Sequence, residues 1–157
     1  MSKGIRRQGR ELALKILFSL PDHEGGSLEQ VFSDFWGQFE FREDVLGEAV
    51  DETVKPVRPE VRNFAEKLVC GVSENLEQID RALEEFSTNW ALDRMARVDL
   101  ALLRLAAYEL LCCDDVPPNV VMNEAIEIGK LFGTGETPAF INGILDPLAR
   151  KNRTPAR

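Results

Sequence analysis

Histidine, cysteine and long apolar runs are scarce in this chain, and each scarcity closes a class of function. The one histidine, His23, stands in the turn Pro-Asp-His-Glu-Gly-Gly, and no CxxC or HxxxH spacing accompanies it. Neither a metal site nor a histidine-activated serine or cysteine nucleophile is therefore expected. Three cysteines, Cys70 and the adjacent Cys112 and Cys113, give no disulfide framework and read as small core residues. No run approaches the ~18 apolar residues of a membrane span. The N-terminus lacks the apolar stretch and cleavage site of a secretory signal, so a cytoplasmic protein without a membrane partner is expected. Gly133 and Gly135 lack the Lys-Ser/Thr sequel and preceding strand of a phosphate loop. Asp114 and Asp115 sit beside Pro117 and Pro118 and read as turn residues rather than an acid/base pair. The expectation is a binding protein, with no catalytic residue, metal or cofactor.

What the chain does have is charge set unevenly along it. The formal net charge is −8, yet Lys3, Arg6, Arg7, Arg10 and Lys15 at the start oppose only Glu11. Arg150, Lys151, Arg153 and Arg157 crowd the other end. The intervening sequence is thus far more acidic than the net value indicates, and the basic ends suggest a partner of opposite charge.

Helical periodicity runs through nearly the whole sequence, strand alternation is absent, and six to eight helices with short connections are expected. The first covers roughly residues 3–20 and stops at Pro21. Ser27 reads as the N-cap of "LEQVFSDFWGQF". The stripe Val61, Phe64, Leu68, Val72, Leu76, Ile79, Leu83 and Phe86 follows, with Gly71 able to divide it in two. After a connection around Trp90, read as a wedge between two halves, comes a strongly apolar helix. Arg104 interrupts that helix and needs a carboxylate, with Glu109, Glu124 and Glu127 as candidates. Asn119 is expected to cap "VVMNEAIEIGKLFG", and Pro138 to open the last helix.

On a 3.6-residue helix, Lys3, Arg6, Arg7 and Arg10 occupy i, i+3, i+4 and i+7, one stripe expected to face water. Ile5, Leu12, Ile16 and Leu20, with Gly9 and Ala13, fall opposite and should dock inward. Gly9 costs ~1 kcal/mol relative to alanine, which points to a close packing contact. Leu14 and Phe18 continue the basic side, Phe18 about 16 Å beyond Arg7. Cations leading to a ring suit single-stranded nucleic acid, in which phosphates need neutralising and unstacked bases need a platform.

The strings "RRQGRELALKILFSL", "NWALDRMARVDLALLRLAAYELL", "DVPPNVVMNEAIEIGKLFG" and "FINGILD" occur in an order that resembles the transcription antitermination factor family NusB. The resemblance covers most of the chain apart from residues 21–58 and the tail. It implies an all-α bundle of about seven helices in two small subdomains. Residues 1–87 would form the N-terminal half, 88–150 the C-terminal half, and 151–157 a basic tail. It also implies binding of boxA RNA from ribosomal RNA leaders jointly with ribosomal protein NusE. The assembly would act within the elongating RNA polymerase complex alongside other Nus factors, against premature termination. The family's arginine-rich start maps onto Arg6, Arg7 and Arg10 beside Lys3, its aromatic onto Phe18, and its second RNA contact onto Glu136 and Phe140. Gln8 and Gly9 depart from relatives that carry arginine and alanine there. Residues 21–58 are long and acidic for the family. The alternatives are a homodimeric module whose basic helix docks an acidic partner, and a detached recognition domain like that of ribosomal RNA cytosine methyltransferases.

Overall fold

A computed structural model describes residues 4–20, 27–45 and 57–152, with only the backbone of 38–45. Lys3, His23, Arg153 and Arg157 lie outside the described residues, as do residues 21–26 and 46–56 of the acidic 21–58 stretch. Seven α-helices make up the described chain: α1 Ile5–Ser19, α2 Leu28–Val45, α3 Pro59–Glu74, α4 Leu76–Phe86, α5 Arg97–Cys112, α6 Pro118–Phe132 and α7 Thr137–Asn152. A single 3-10 turn, Leu92–Arg94, precedes α5. No strand occurs among the described residues, and the all-α expectation holds. None of the described helices is long and apolar enough to cross a membrane.

The chain divides into two compact units, Met1–Lys67 and Leu68–Arg157. Sequence reasoning put the boundary at 87/88; the division falls within α3 because α4 packs against α5 and α7. In the first unit α1 packs on α2. Ser27 caps α2 as expected, its Oγ accepting the Gln30 N–H at 3.2 Å. Trp36 is buried; its indole N–H donates to Glu66 at 2.9 Å, and Arg62 lies 5.1 Å from a Trp36 ring centroid.

In the second unit α5, α6 and α7 pack on one another, and Leu102, Leu103, Leu105, Ile128, Ile141 and Leu145 are fully buried. Each such side chain withdrawn from water is worth ~1.5–3 kcal/mol, the largest driving force here. Asn119 is not the cap of α6: Pro117 precedes the helix and Pro118 opens it, its fixed φ suiting the first turn. Gly71 does not divide α3 from α4. The break comes at Asn75, whose side-chain amide donates to the Gly71 carbonyl at 2.8 Å. Gly71 instead leaves room for the ring of Tyr108, which a β-carbon there would strike.

Arg104 finds its carboxylate on α4, not at Glu109, Glu124 or Glu127. Its Nε and Nη2 donate to the two oxygens of Asp80, both at 2.9 Å. Glu127 instead pairs with Lys130 at 3.0 Å. The cysteines are not core residues: Cys112 is exposed, Cys70 and Cys113 are half-buried, and none of the three is in a disulfide. Trp90 is not a buried wedge either. It is 55% exposed, because the Ser-Thr-Asn-Trp-Ala segment passes over the surface as a turn.

Candidate nucleic-acid interface

Helix α1 starts where the Gly4 carbonyl accepts the Gln8 N–H at 3.0 Å. Its central feature is Gly9. A β-carbon at this position would lie 2.5 Å from Cδ1 of Phe64, so the ring, carried on α3, occupies the space a side chain would fill. This is the close contact expected at Gly9. The ring then lies beside both the preceding and the following arginine, with the guanidinium carbon of Arg6 5.8 Å and that of Arg10 5.7 Å from its centroid. Contacts of this kind fix a guanidinium by its attraction to the π face.

The four-cation stripe does not face water as a unit. Arg6 is exposed, Arg7 is half-buried, and Arg10 is only 3% exposed. Leu14, expected on the same open side, is buried, whereas Ile5, expected to dock, is exposed. The buried arc of α1 centres on Ala13 and Leu17, with Gly9 and Ile16 on one flank and Arg10 and Leu14 on the other. Burial of Leu14 and Leu17 turns the helix towards Arg10, whose guanidinium lies against the Phe64 ring. Phe18 remains at the surface, 40% exposed, and Lys15 is exposed one turn earlier. The outward side of α1 thus runs from Arg6 and Arg7, past Lys15, to a surface ring.

Glu136 and Phe140 belong to the second unit, at the entry to α7. Thr137 organises this corner, although it is buried to 1% exposure. Its Oγ1 donates to Asp99 at 2.7 Å and accepts the Thr134 N–H at 3.0 Å. Gly133 has no side chain where Thr137 sits, and a β-carbon there would collide with the threonine. Glu136 donates its N–H to Thr134 Oγ1 at 3.2 Å, leaving its carboxylate exposed. Phe140 is half-buried and meets Trp90 edge-on, with centroids 6.2 Å apart. Sequence reasoning read Trp90 as a wedge and Phe64 as part of an apolar stripe, and assigned neither to the interface. A tryptophan inside a polar turn was the available signal for the first; the second depends on a contact far along the chain.

No group of histidine, cysteine, aspartate and glutamate side chains that could hold a metal ion occurs among the described residues. Fold and site together define an all-α protein with a basic, aromatic-bearing first helix.

Residues 7–150 match the model of the NusB family. The chain is 57% identical to the transcription antitermination protein NusB of Syntrophotalea carbinolica, over 98% of this chain and 97% of that protein. It is similar to the solved T. maritima NusB, with a TM-score of 0.75 and 34% identity over 97% of this chain and 94% of that one. A structure of the antitermination factors NusB and NusE in complex with dsRNA shares the fold, with a TM-score of 0.73, 21% identity, and coverage of 94% and 97%. The chain belongs to the NusB family.

Proposed function

We propose that this chain is a cytoplasmic transcription antitermination factor that binds boxA RNA of ribosomal RNA leaders together with ribosomal protein NusE. It acts by binding, within the elongating RNA polymerase complex and with other Nus factors, to suppress premature termination. Family membership supports the role, and a relative in the same fold is known with NusE and dsRNA. The observation that carries the RNA reading is the outward side of α1, where Arg6 and Arg7 lead to the exposed ring of Phe18.

In this reading Arg6 and Arg7 neutralise successive phosphates and Phe18 stacks a base. Arg10 clamps Phe64 and so sets the helix in place for its neighbours. Lys3 and Lys15 extend the basic track. At the entry to α7, Phe140 supports a second base beside Trp90, and the Glu136 carboxylate accepts a hydrogen bond from an exocyclic amine. Four to six phosphate contacts give a log–log salt slope of about −3 to −4 on single strands.

A gel shift with boxA-like and scrambled RNA, with and without NusE, tests the reading. Arg6→Glu combined with Arg7→Glu is expected to weaken boxA binding about a hundredfold or more, from two lost charge-assisted contacts. Phe18→Ala should cost roughly tenfold. Helicity should stay unchanged, because Arg6 and Phe18 are exposed and Arg7 is only half-buried. Undiminished binding by the double variant refutes the assignment.

A further inference from the structure

Helices α6 and α7 of the second unit wall a groove of roughly 520 Å³, none of whose lining residues is among the RNA candidates. Met122 and Ile126, both half-buried, give it an apolar strip, and Asn119, Asn123 and Asn142 add three exposed carboxamides. None of these carboxamides has a hydrogen-bond partner among the described residues. The two charges of the lining, Asp146 and Arg150, pair at 3.1 Å, so the groove carries no net charge. An uncharged, flat group with polar edges suits such a lining better than a phosphate does.

The backbone beside the groove is open as well. Gly143 is exposed, and a β-carbon on it would meet nothing within 4 Å. Glycine weakens a helix interior, and no packed neighbour accounts for this one. Pro147, inside the same helix, has no N–H for the Gly143 carbonyl four residues before it. Gly143, Asp146 and Arg150 share one stripe of α7 at i, i+3 and i+7. A carbonyl without its helical donor and a carboxylate are thus neighbouring acceptors. Adenine answers this pattern: it carries an amine and ring nitrogens but no carbonyl oxygen to oppose them. A carboxamide meets its N6 and N7 edge with one donor and one acceptor.

We propose that the α6–α7 groove takes an unpaired adenine of the RNA strand, a few nucleotides from the base at Phe140. The inference rests on the RNA reading above. Phe140 precedes Asp146 by about 9 Å of axial rise. The RNA crosses α7 at Gly143, where the missing side chain lets it approach the backbone. Arg150, its side chain 80% exposed and its ion pair with Asp146 screened by water, meets a phosphate at the rim.

The test uses the full chain with methyl-labelled methionine; the Met122 methyl reports the groove, and buried Met95 is the reference. A saturable Met122 shift is expected with single-stranded oligoadenylate, and about tenfold weaker binding with oligouridylate of the same length. Asn123→Ala with Asn142→Ala should weaken oligoadenylate binding about tenfold, with helicity kept because both side chains are exposed. The same variant should bind a minimal boxA-like RNA as the parent does, but lose the roughly tenfold gain expected when adenines are appended to that RNA. No Met122 shift, an equal response to oligouridylate, no gain on extension, or an undiminished response in the variant overturns the site. A Met122 shift with a blocked, uncharged tripeptide and none with RNA overturns the adenine assignment and marks a peptide site. Binding of the minimal boxA-like RNA is scored separately through Arg6→Glu with Arg7→Glu, so failure here and failure of the RNA reading are told apart.

Discussion

In the first unit exposed Arg6 lies against the ring of Phe64, whereas in the second unit Arg104 is gripped by both oxygens of Asp80. A ring steadies a guanidinium without bringing a counter-charge, while a carboxylate steadies it and cancels its field. Arg6, exposed beside its ring, keeps its positive field for an incoming anion. Arg104 is quenched. The same residue type thus serves opposite purposes, and the partner decides which. Identity alone would make both arginines phosphate candidates; their surroundings separate them.

Removing the ring should have the largest consequence. Phe64→Ala is expected to cost about 2–3 kcal/mol in urea unfolding, below the range for a fully buried phenylalanine because Phe64 is half-buried. It should also weaken boxA binding roughly tenfold, since Arg6 must then be ordered at the moment of binding. Unchanged RNA affinity would break the claim that the ring presets the cations. Asp80→Asn comes next. The pair is 28% and 25% exposed, so screening reduces the loss below that of a fully buried pair, to about 1–2 kcal/mol. RNA affinity should be untouched. A fall in boxA binding would mean that the two arginine environments are coupled.

The helices most legible in the sequence are those with sharp periodicity and clear punctuation. The expected cap Asn119 and end Gly133 come within two residues of the observed bounds of α6, and Ser27 marks the start of α2. The expectations that failed depend on contacts between distant residues. Gly71 looks like a helix breaker, but it is a seat for Tyr108, a neighbour that local sequence cannot announce. The site divides along the same line. The helical wheel put Lys3, Arg6, Arg7 and Arg10 on one stripe with Phe18 in line with Arg7, but spacing does not say which arc of a helix is covered. Leu14, Leu17 and the remote Phe64 decide that, and they take Arg10 out of solvent.

Gly9→Ala is a finer probe of the first unit. Alanine gains ~1 kcal/mol in helix propensity, and the new β-carbon, 2.5 Å from Phe64 Cδ1, costs ~1–3 kcal/mol as overpacking. A net loss of about 1 kcal/mol in urea unfolding is expected. A gain in stability would show that the ring gives way freely and does not hold Arg6 and Arg10.

The last effect belongs to the second unit and shows only at alkaline pH. Tyr108, the single tyrosine of the chain, is pushed up from the ordinary 10.0 to about 12, first by burial and then by the neighbouring Cys113, Cys112 and Glu74. Partial desolvation also raises the thiols of Cys112, where Asp114 adds to it, and of half-buried Cys113. As pH rises past 10 the unfolded chain loses the phenolic proton while the folded chain keeps it, so ionisation favours unfolding. The stabilising contribution is complete below pH 10 and drains away towards pH 12, with the thiols acting in the same direction from lower pH. Because no other tyrosine contributes, tyrosinate absorbance reports this group alone. Its midpoint should lie near 12 in the folded protein and near 10 in concentrated urea, and Tyr108→Phe should flatten the alkaline fall in melting temperature. A folded-state midpoint near 10 would mean that the ring seated at Gly71 is open to water, and the packing assigned to the α3–α5 contact would have to be withdrawn.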